Sequence, residues 1–238
     1  AGITVEPSRI FRFTLDIYQT KIDDRIVKTD FLGTAANGGA VVGQLLREKG
    51  INGVDSAQYF TNAIDTTTRG IDLVTELTLK SDSAGTFKPS AAYSFADTRI
   101  DHVAKNPAEL ANLNVTLFGR QVQRDLIKGS PRSKVVLGGN WAVWRFKTDL
   151  RVTRYDSYIE SSTVASADQR FSAKWITDLD VGYGITDNLS LAIGAYNLFN
   201  KYPDKVGLKN NEGSGAYGSF APFGLSGGFY YARLALNL

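Results

Sequence analysis

The chain has no cysteine, no methionine and a single histidine among its 238 residues. Without cysteine there are no disulfides, no thiolate nucleophile, and no Cys-based zinc or iron–sulfur centre. One histidine cannot build a multi-histidine metal site, so no cofactor is expected. An apolar run long enough for a transmembrane helix is also missing. Charge of one sign is scarce too: 27 Lys plus Arg face 24 Asp plus Glu, a net +3 with no concentrated basic patch, and nucleic acid is not an expected partner. No cationic stretch followed by an apolar one reads as a signal peptide. The absence of methionine, position 1 included, is expected of a processed chain or a piece of a longer product.

Hydrophobic residues make up 43% of the chain, too many for a disordered protein. They are distributed with period two rather than 3.6, the strand signature. From Arg9 to Ile26, Phe11, Phe13, Leu15 and Ile17 oppose Arg12, Thr14, Asp16 and Tyr18. From Tyr59 to Lys80, Ile71, Leu73, Leu77 and Leu79 oppose Asp72, Glu76 and Lys80. Further strands are expected over Thr86–Ile100, Lys134–Trp144, about Lys147–Tyr155, Trp175–Ile185, Leu189–Ala195 and Phe229–Leu238. That is roughly eight strands, each near the ~9–11 residues that cross a bilayer at a tilt; strands of soluble proteins average ~5–6.

Connections alternate strictly in length. Ser81–Gly85, Arg145–Lys147 and Thr186–Asn188 are short; Val27–Gln58, Asp101–Arg132, Glu160–Arg170 and Leu198–Pro222 are long. Short turns on one side and long loops on the other are the pattern of an outer-membrane barrel. The charged face, with Asp16, Asp72, Glu76, Asp149, Arg151, Asp178, Asp180 and Arg233, suits a wet interior and would be costly in a sandwich core. Aromatics such as Trp141, Trp144, Trp175 and Tyr230 gather near strand ends, as interfacial girdles do. Arg154 and Asp156 break the pattern on the oily face.

Four stretches resemble the C-terminal half of a TonB-dependent outer-membrane receptor. They are Phe13–Tyr18 followed by Lys21–Ile26, Tyr59–Ala63 leading to Asp65–Leu73, Pro131–Lys134 with Asn140-Trp141, and Asn188–Leu191 through Tyr196-Asn197-Leu198-Phe199-Asn200-Lys201-Tyr202-Pro203. The resemblance implies an all-β fold: a transmembrane antiparallel β-barrel of about 22 strands with a plugged lumen, of which residues 1–238 supply the C-terminal portion, about the last eight strands, without the plug domain. It implies a multi-pass barrel in the Gram-negative outer membrane that takes up a scarce solute, such as a ferric siderophore-type chelate. The implied partners are the rest of the receptor (plug and N-terminal strands), a periplasmic TonB-type coupling protein acting through the plug, and outer-membrane lipid and lipopolysaccharide. Members of this family commonly end on an aromatic residue; here Leu238 occupies that register position.

Nothing reads as an enzyme. Gly224-Leu225-Ser226-Gly227-Gly228 matches a nucleophile elbow, but a strand follows it and no histidine comes later. Asp178 and Asp180 share a strand face, as lumen-facing polar residues do. Phosphate-cradling and dinucleotide fingerprints are absent. Val41–Lys49 reads as a short amphipathic helix inside the first long loop, and Glu109–Leu113 as a further helical turn. The loops carry a cationic and aromatic set suited to an anionic chelate, with Arg47, Lys49, Tyr59, His102, Arg120, Arg124, Lys128 and Tyr217 as candidate ligand-binding residues and Lys209 nearby. Contact of the same cations with lipopolysaccharide phosphates is the alternative, and the residues do not separate the two. Two rival folds remain open to the sequence: a self-contained eight-stranded barrel serving as adhesin or surface enzyme, and a soluble β-sandwich binding module.

Overall fold

A computed structural model describes the chain apart from residues 111–112, 208–214 and 238. Lys209 and Leu238, and part of the expected Glu109–Leu113 turn, therefore lie outside the described residues. Its elements are, in order, β1 (Gly2–Ser8), β2 (Phe11–Lys28), α1 (Gly39–Glu48), β3 (Phe60–Leu77), β4 (Leu79–Ser81), β5 (Gly85–Val103), α2 (Arg120–Lys128), β6 (Ser133–Val143), β7 (Phe146–Tyr155), β8 (Tyr158–Glu160), β9 (Gln169–Phe171), β10 (Lys174–Gly184), β11 (Leu189–Tyr196) and β12 (Phe229–Leu236).

One ten-stranded antiparallel sheet dominates, in the order β1-β2-β3-β5-β6-β7-β10-β11-β12, with β4 alongside β5; β8 and β9 form a separate small hairpin. Every strand of the wall pairs with its sequence neighbour in the wall, and β1 and β12 do not meet. The sheet is an open arc of barrel wall, not a closed eight-stranded barrel. β1 adds a strand that alternation does not announce: it offers only Ile3 and Val5 before Pro7 interrupts.

Register carries the oily face across the wall, interrupted by Arg154 on β7. Leu15 lies opposite Leu73, Leu73 opposite Tyr93, Tyr93 opposite Val135, Val135 opposite Arg154, and Arg154 opposite Trp175. A one-residue slip at any pair would turn that strand's apolar set to the charged side. The oily side chains are not sealed against a second sheet: Ile193 is 60% and Leu234 67% exposed. That arrangement suits hydrocarbon and excludes a sandwich core. The two charges that break the oily face stabilise one another, with Arg154 Nη2 3.2 Å from Asp156 Oδ1 and Ser133 Oγ donating to Asp156 at 3.1 Å.

The opposite face is polar. Tyr231 donates its hydroxyl to Asp180 at 2.7 Å, Arg233 stands 3.7 Å from the same carboxylate, and the Asn140 amide donates to Asp149. Two tyrosine rings lie across glycines of the neighbouring strand. A Cβ on Gly70 would meet the Tyr18 ring at 2.2 Å, and one on Gly194 would meet Tyr231 at 2.5 Å. Only glycine leaves room for the ring there.

Turns follow local chemistry. At Thr186–Asn188 the Thr186 hydroxyl accepts from the amides of Asn188 (3.3 Å) and Leu189 (3.0 Å). Trp144 takes a positive φ of 50° in the turn between β6 and β7 and is 87% exposed, placed as an interfacial aromatic would be. At the far end β2, β3 and β5 run to 18, 18 and 19 residues. That is well beyond the ~9–11 a bilayer needs. Their upper ends meet the first two long loops in a compact core built on Val27, Leu32, Val42, Ala63, Ile64, Val115, Leu117 and Phe118.

Candidate ligand-binding loops

All four long connections emerge at the same end of the sheet, and they are strapped to each other in series. The first loop is bound to the second through Asn37. Its side-chain amide donates to Thr116 O at 2.9 Å and its carbonyl oxygen accepts from Thr116 N at 2.7 Å. Asp30 Oδ2 accepts from Gly119 N at 2.7 Å. Gly119 precedes α2 and has no side chain with which to cap it. The capping carboxylate arrives from 89 residues upstream, and the glycine leaves space for it.

α2 then grips the third loop. Arg120 makes a two-pronged contact with Asp168 at 2.8 and 2.6 Å and donates to Ser162 O at 2.5 Å. Arg124 Nε lies 3.6 Å from the same carboxylate. The Arg120 hydrogen bonds, aided by the Ser162 amide and the charges of Arg120 and Arg124, hold the Asp168 carboxyl down at about 2. Asp125 accepts from Ser161 N at 2.8 Å. Within the third loop, Tyr158 and Phe171 stack with ring centroids 4.8 Å apart, and Phe171 is fully buried.

The third loop holds the fourth. Glu160 accepts from Phe220 N at 2.8 Å, and its burial raises the carboxyl above its usual range. Gln169 donates to Lys205 O at 2.8 Å and accepts from Gly207 N at 2.7 Å. Asp204 accepts from Lys174 Nζ at 2.5 Å and from Ser172. The stretch Asn197–Tyr202 has a structural cause. Asn197 and Asn200 sit at φ 53° and 51°, a region asparagine tolerates. Asn197 donates to Lys201 O and accepts from Lys201 N, while Asn200 accepts from Gly228 N at 2.8 Å.

The candidate residues are distributed unevenly over this scaffold. Arg120 and Arg124 come together, but on Asp168, so both help hold the loops. Arg47 pairs with Asp55 at 2.7 Å. Lys49 closes α1 and is exposed; Lys128 lies half-buried in the last turn of α2. Tyr59 stands at the base of the first loop, where its backbone bonds Thr29, and burial raises its phenol. His102 is in β5, opposite Asp65, rather than in the loop after it. Tyr217 stacks on Tyr202 at 5.9 Å.

Loop counting passed over a set that strand parity could have found. Lys134, Tyr155 and Lys174 form one row across β6, β7 and β10 on the polar face, just below the loops. Lys134 Nζ lies 5.3 Å from the centre of the Tyr155 ring, and Phe223 of the fourth loop stacks on that ring at 5.8 Å. Between Tyr155, Phe171, Lys174, Asp204 and Phe223 only about 10 Å³ is open, room for roughly one water. At this point the base of the third and fourth loops is tightly packed. Among the described residues no group of three or more His, Asp or Glu side chains is placed to hold a metal ion.

A sequence profile for the family described as TonB dependent receptor-like, beta-barrel, matches residues 1–198. No curated protein matches the chain. Solved structures similar in fold include the outer membrane transporter YddB from Escherichia coli, with a TM-score of 0.59 at 10% identity over 99% of this chain and 31% of that one. The siderophore receptor PiuA from Acinetobacter baumannii gives 0.57 at 13% identity, covering 95% of this chain and 26% of its own. The pyoverdine outer membrane receptor FpvA from Pseudomonas aeruginosa PAO1, solved bound to pyoverdine, gives 0.56 at 14% identity, covering 96% and 27%. The chain thus spans about a quarter to a third of the length of these structures.

Proposed function

We propose a function that proceeds from one premise: this chain belongs to the TonB-dependent receptor β-barrel family, a family of receptors and transporters, not enzymes. In this reading the chain is the C-terminal wall and outer loops of an outer-membrane transporter. The plug and remaining strands come from the rest of the receptor. A periplasmic TonB-type protein couples inner-membrane energy to the plug. The solute is an anionic metal chelate of the ferric-siderophore class.

The family match over residues 1–198 carries the transporter reading. Three features support the choice of solute. Among the described residues the loop end offers cations without a cluster of metal-ligating side chains; the aromatic side chains of Tyr59 and Tyr217 accompany them; and PiuA is named as a siderophore receptor and FpvA as a pyoverdine receptor. Arg47, Lys49, Tyr59, His102, Lys128 and Tyr217 supply contact surface, and the Lys134–Tyr155–Lys174 row lies on the path below. Arg120 and Arg124 act by holding the loops in place.

The test uses the whole receptor in iron-limited cells. Uptake of radiolabelled ferric chelates is expected to require the receptor and to stop when the proton gradient is dissipated or the coupling protein is deleted. Uptake insensitive to both treatments overturns energised transport. Energised uptake of an uncharged solute with no ferric chelate bound overturns the choice of substrate.

A further inference from the structure

We infer that Tyr231, laid over Gly194 and bonded to Asp180, is a register lock. It selects the pairing of β12, the strand at one edge of the arc, and so sets the height at which the rest of the receptor meets that edge. Its part in closing a barrel rests on the outer-membrane reading above and goes beyond it.

The need for a lock follows from connectivity. A tight turn fixes the register of the two strands it joins. β10 and β11 have such a turn at Thr186–Asn188. β11 and β12 are joined by residues 197–228, a connection too long to dictate which residues pair. Alternation does not decide the matter either. It forbids a slip of one residue, which would turn Tyr230, Leu234 and Leu236 to the polar side. A slip of two residues keeps every oily side chain on the oily face.

One row on the polar face separates the native pairing from a two-residue slip. Asp180, Gly194 and Tyr231 lie opposite one another across β10, β11 and β12. Tyr231 Cζ and Oη lie 2.5 Å from where a Cβ on Gly194 would be, so the ring reaches across β11. The hydroxyl then donates to Asp180 at 2.7 Å, a bond between strands that are not neighbours. A slip one way puts Phe229 opposite Gly194 and leaves Asp180 facing a ring with no donor. A slip the other way puts Arg233 there and sets Tyr231 opposite Tyr196, whose side chain bars the way to β10. Other glycines of the wall supply the contrast. Gly70 on β3 also has a tyrosine ring in its bay, from Tyr18 on β2, and β2 and β3 are joined by a long connection, residues 29–59. Gly182 and Gly184 belong to the tight-turn pair β10 and β11, and among the described residues no atom comes nearer than 3.7 Å to a Cβ on either. In these pairs a ring fills the bay where the connection is long, and none does where it is tight.

The test uses the whole receptor in its native membrane. These strands hold no cysteine, so introduced pairs report their register. Ser190→Cys with Ala235→Cys joins residues opposed in the native pairing, and Ala192→Cys with Ala235→Cys joins residues opposed only after a two-residue slip. Residues one rung apart are too distant for an unstrained disulfide. Oxidation reads the crosslinks, and the appearance of the heat-modifiable band after a pulse of label reads assembly. Tyr231→Ala and Gly194→Ala should each raise the slipped crosslink at least about fivefold and delay the folded band at least about threefold. The double variant should do no more than the worse single one, since both remove the same lock. Tyr231→Phe, which keeps the ring and loses the bond to Asp180, should fall between, and Gly182→Ala should match the unaltered receptor. Unaltered crosslinks and timing in Tyr231→Ala overturn the lock, as does equal disruption by Gly182→Ala. If Tyr231→Ala forms no folded barrel, Gly194→Ala and Tyr231→Phe decide by the same two readouts, and unaltered crosslinks in both overturn the lock. A receptor that transports its solute while Tyr231→Ala keeps the native pairing sinks this inference alone. One that transports nothing while Tyr231→Ala slips sinks the transport reading and leaves the lock standing.

Discussion

The two ends of this molecule solve the problem of apolar side chains in opposite ways. At the loop end, Leu117 and Ile64 are buried to 2% and 0% exposure in a core that the protein supplies to itself. In the wall, side chains of the same kind stand on the surface with no second sheet over them, as a hydrocarbon-facing wall would present them. The loop end carries its own stability, whereas the wall borrows it from the surrounding medium. Three substitutions would break or sharpen the contrast.

The largest effect is expected from Leu117→Ala, which empties a site in the loop core and costs about 2–5 kcal/mol. The damage should stay in the first two loops. Hydrogen exchange there should rise steeply while the wall remains protected, and loss of protection in both regions would mean that the ends are not separate. Next comes Ile193→Arg, near the middle of β11 on the oily face. It should cost about 2–4 kcal/mol in a bilayer, measured by denaturant unfolding of the whole receptor from vesicles, with loop exchange unchanged. A cost below about 0.5 kcal/mol in the bilayer, as for a surface substitution in water, would deny that this face meets hydrocarbon.

The smallest effect is a pH response confined to the loops. The Asp168 carboxyl is held at about 2, below its unfolded value near 3.8. The Arg120 latch therefore contributes fully above pH ~4 and is lost as pH falls through ~4 towards ~2, by about 1 kcal/mol after allowance for solvent screening. Exchange at Ser161–Ser162 should accelerate over that window in the native protein and lose the response in Asp168→Asn. An identical pH profile in both proteins would remove Asp168 from the latch.

How much of this was legible in the sequence depended on how local the cause is. The wall strands are announced by alternation, since each faces two media along its whole length. The expected helix at Val41–Lys49 forms at Gly39–Glu48. β1 escaped because two apolar residues before a proline do not make a period. α2 escaped because Val122 and Leu126 are its only aliphatic pair near the core, and its cap comes from Asp30 in another loop. The β8–β9 hairpin is three residues a side and is held by the stacking of Tyr158 on Phe171. Arg120 and Arg124 read as free cations in sequence, since nothing local reveals that Asp168 meets them in space. Nor does the count of loop charges point to the Lys134–Tyr155–Lys174 row, which only pairing across three strands assembles.

The tyrosines laid over Gly70 and Gly194 shape the polar face of the wall. Each ring fills a bay left by a missing side chain on the next strand, so it lies flat along that face instead of standing out from it. At those two places the wall is smooth and aromatic where charged or bulkier neighbours would leave it ridged.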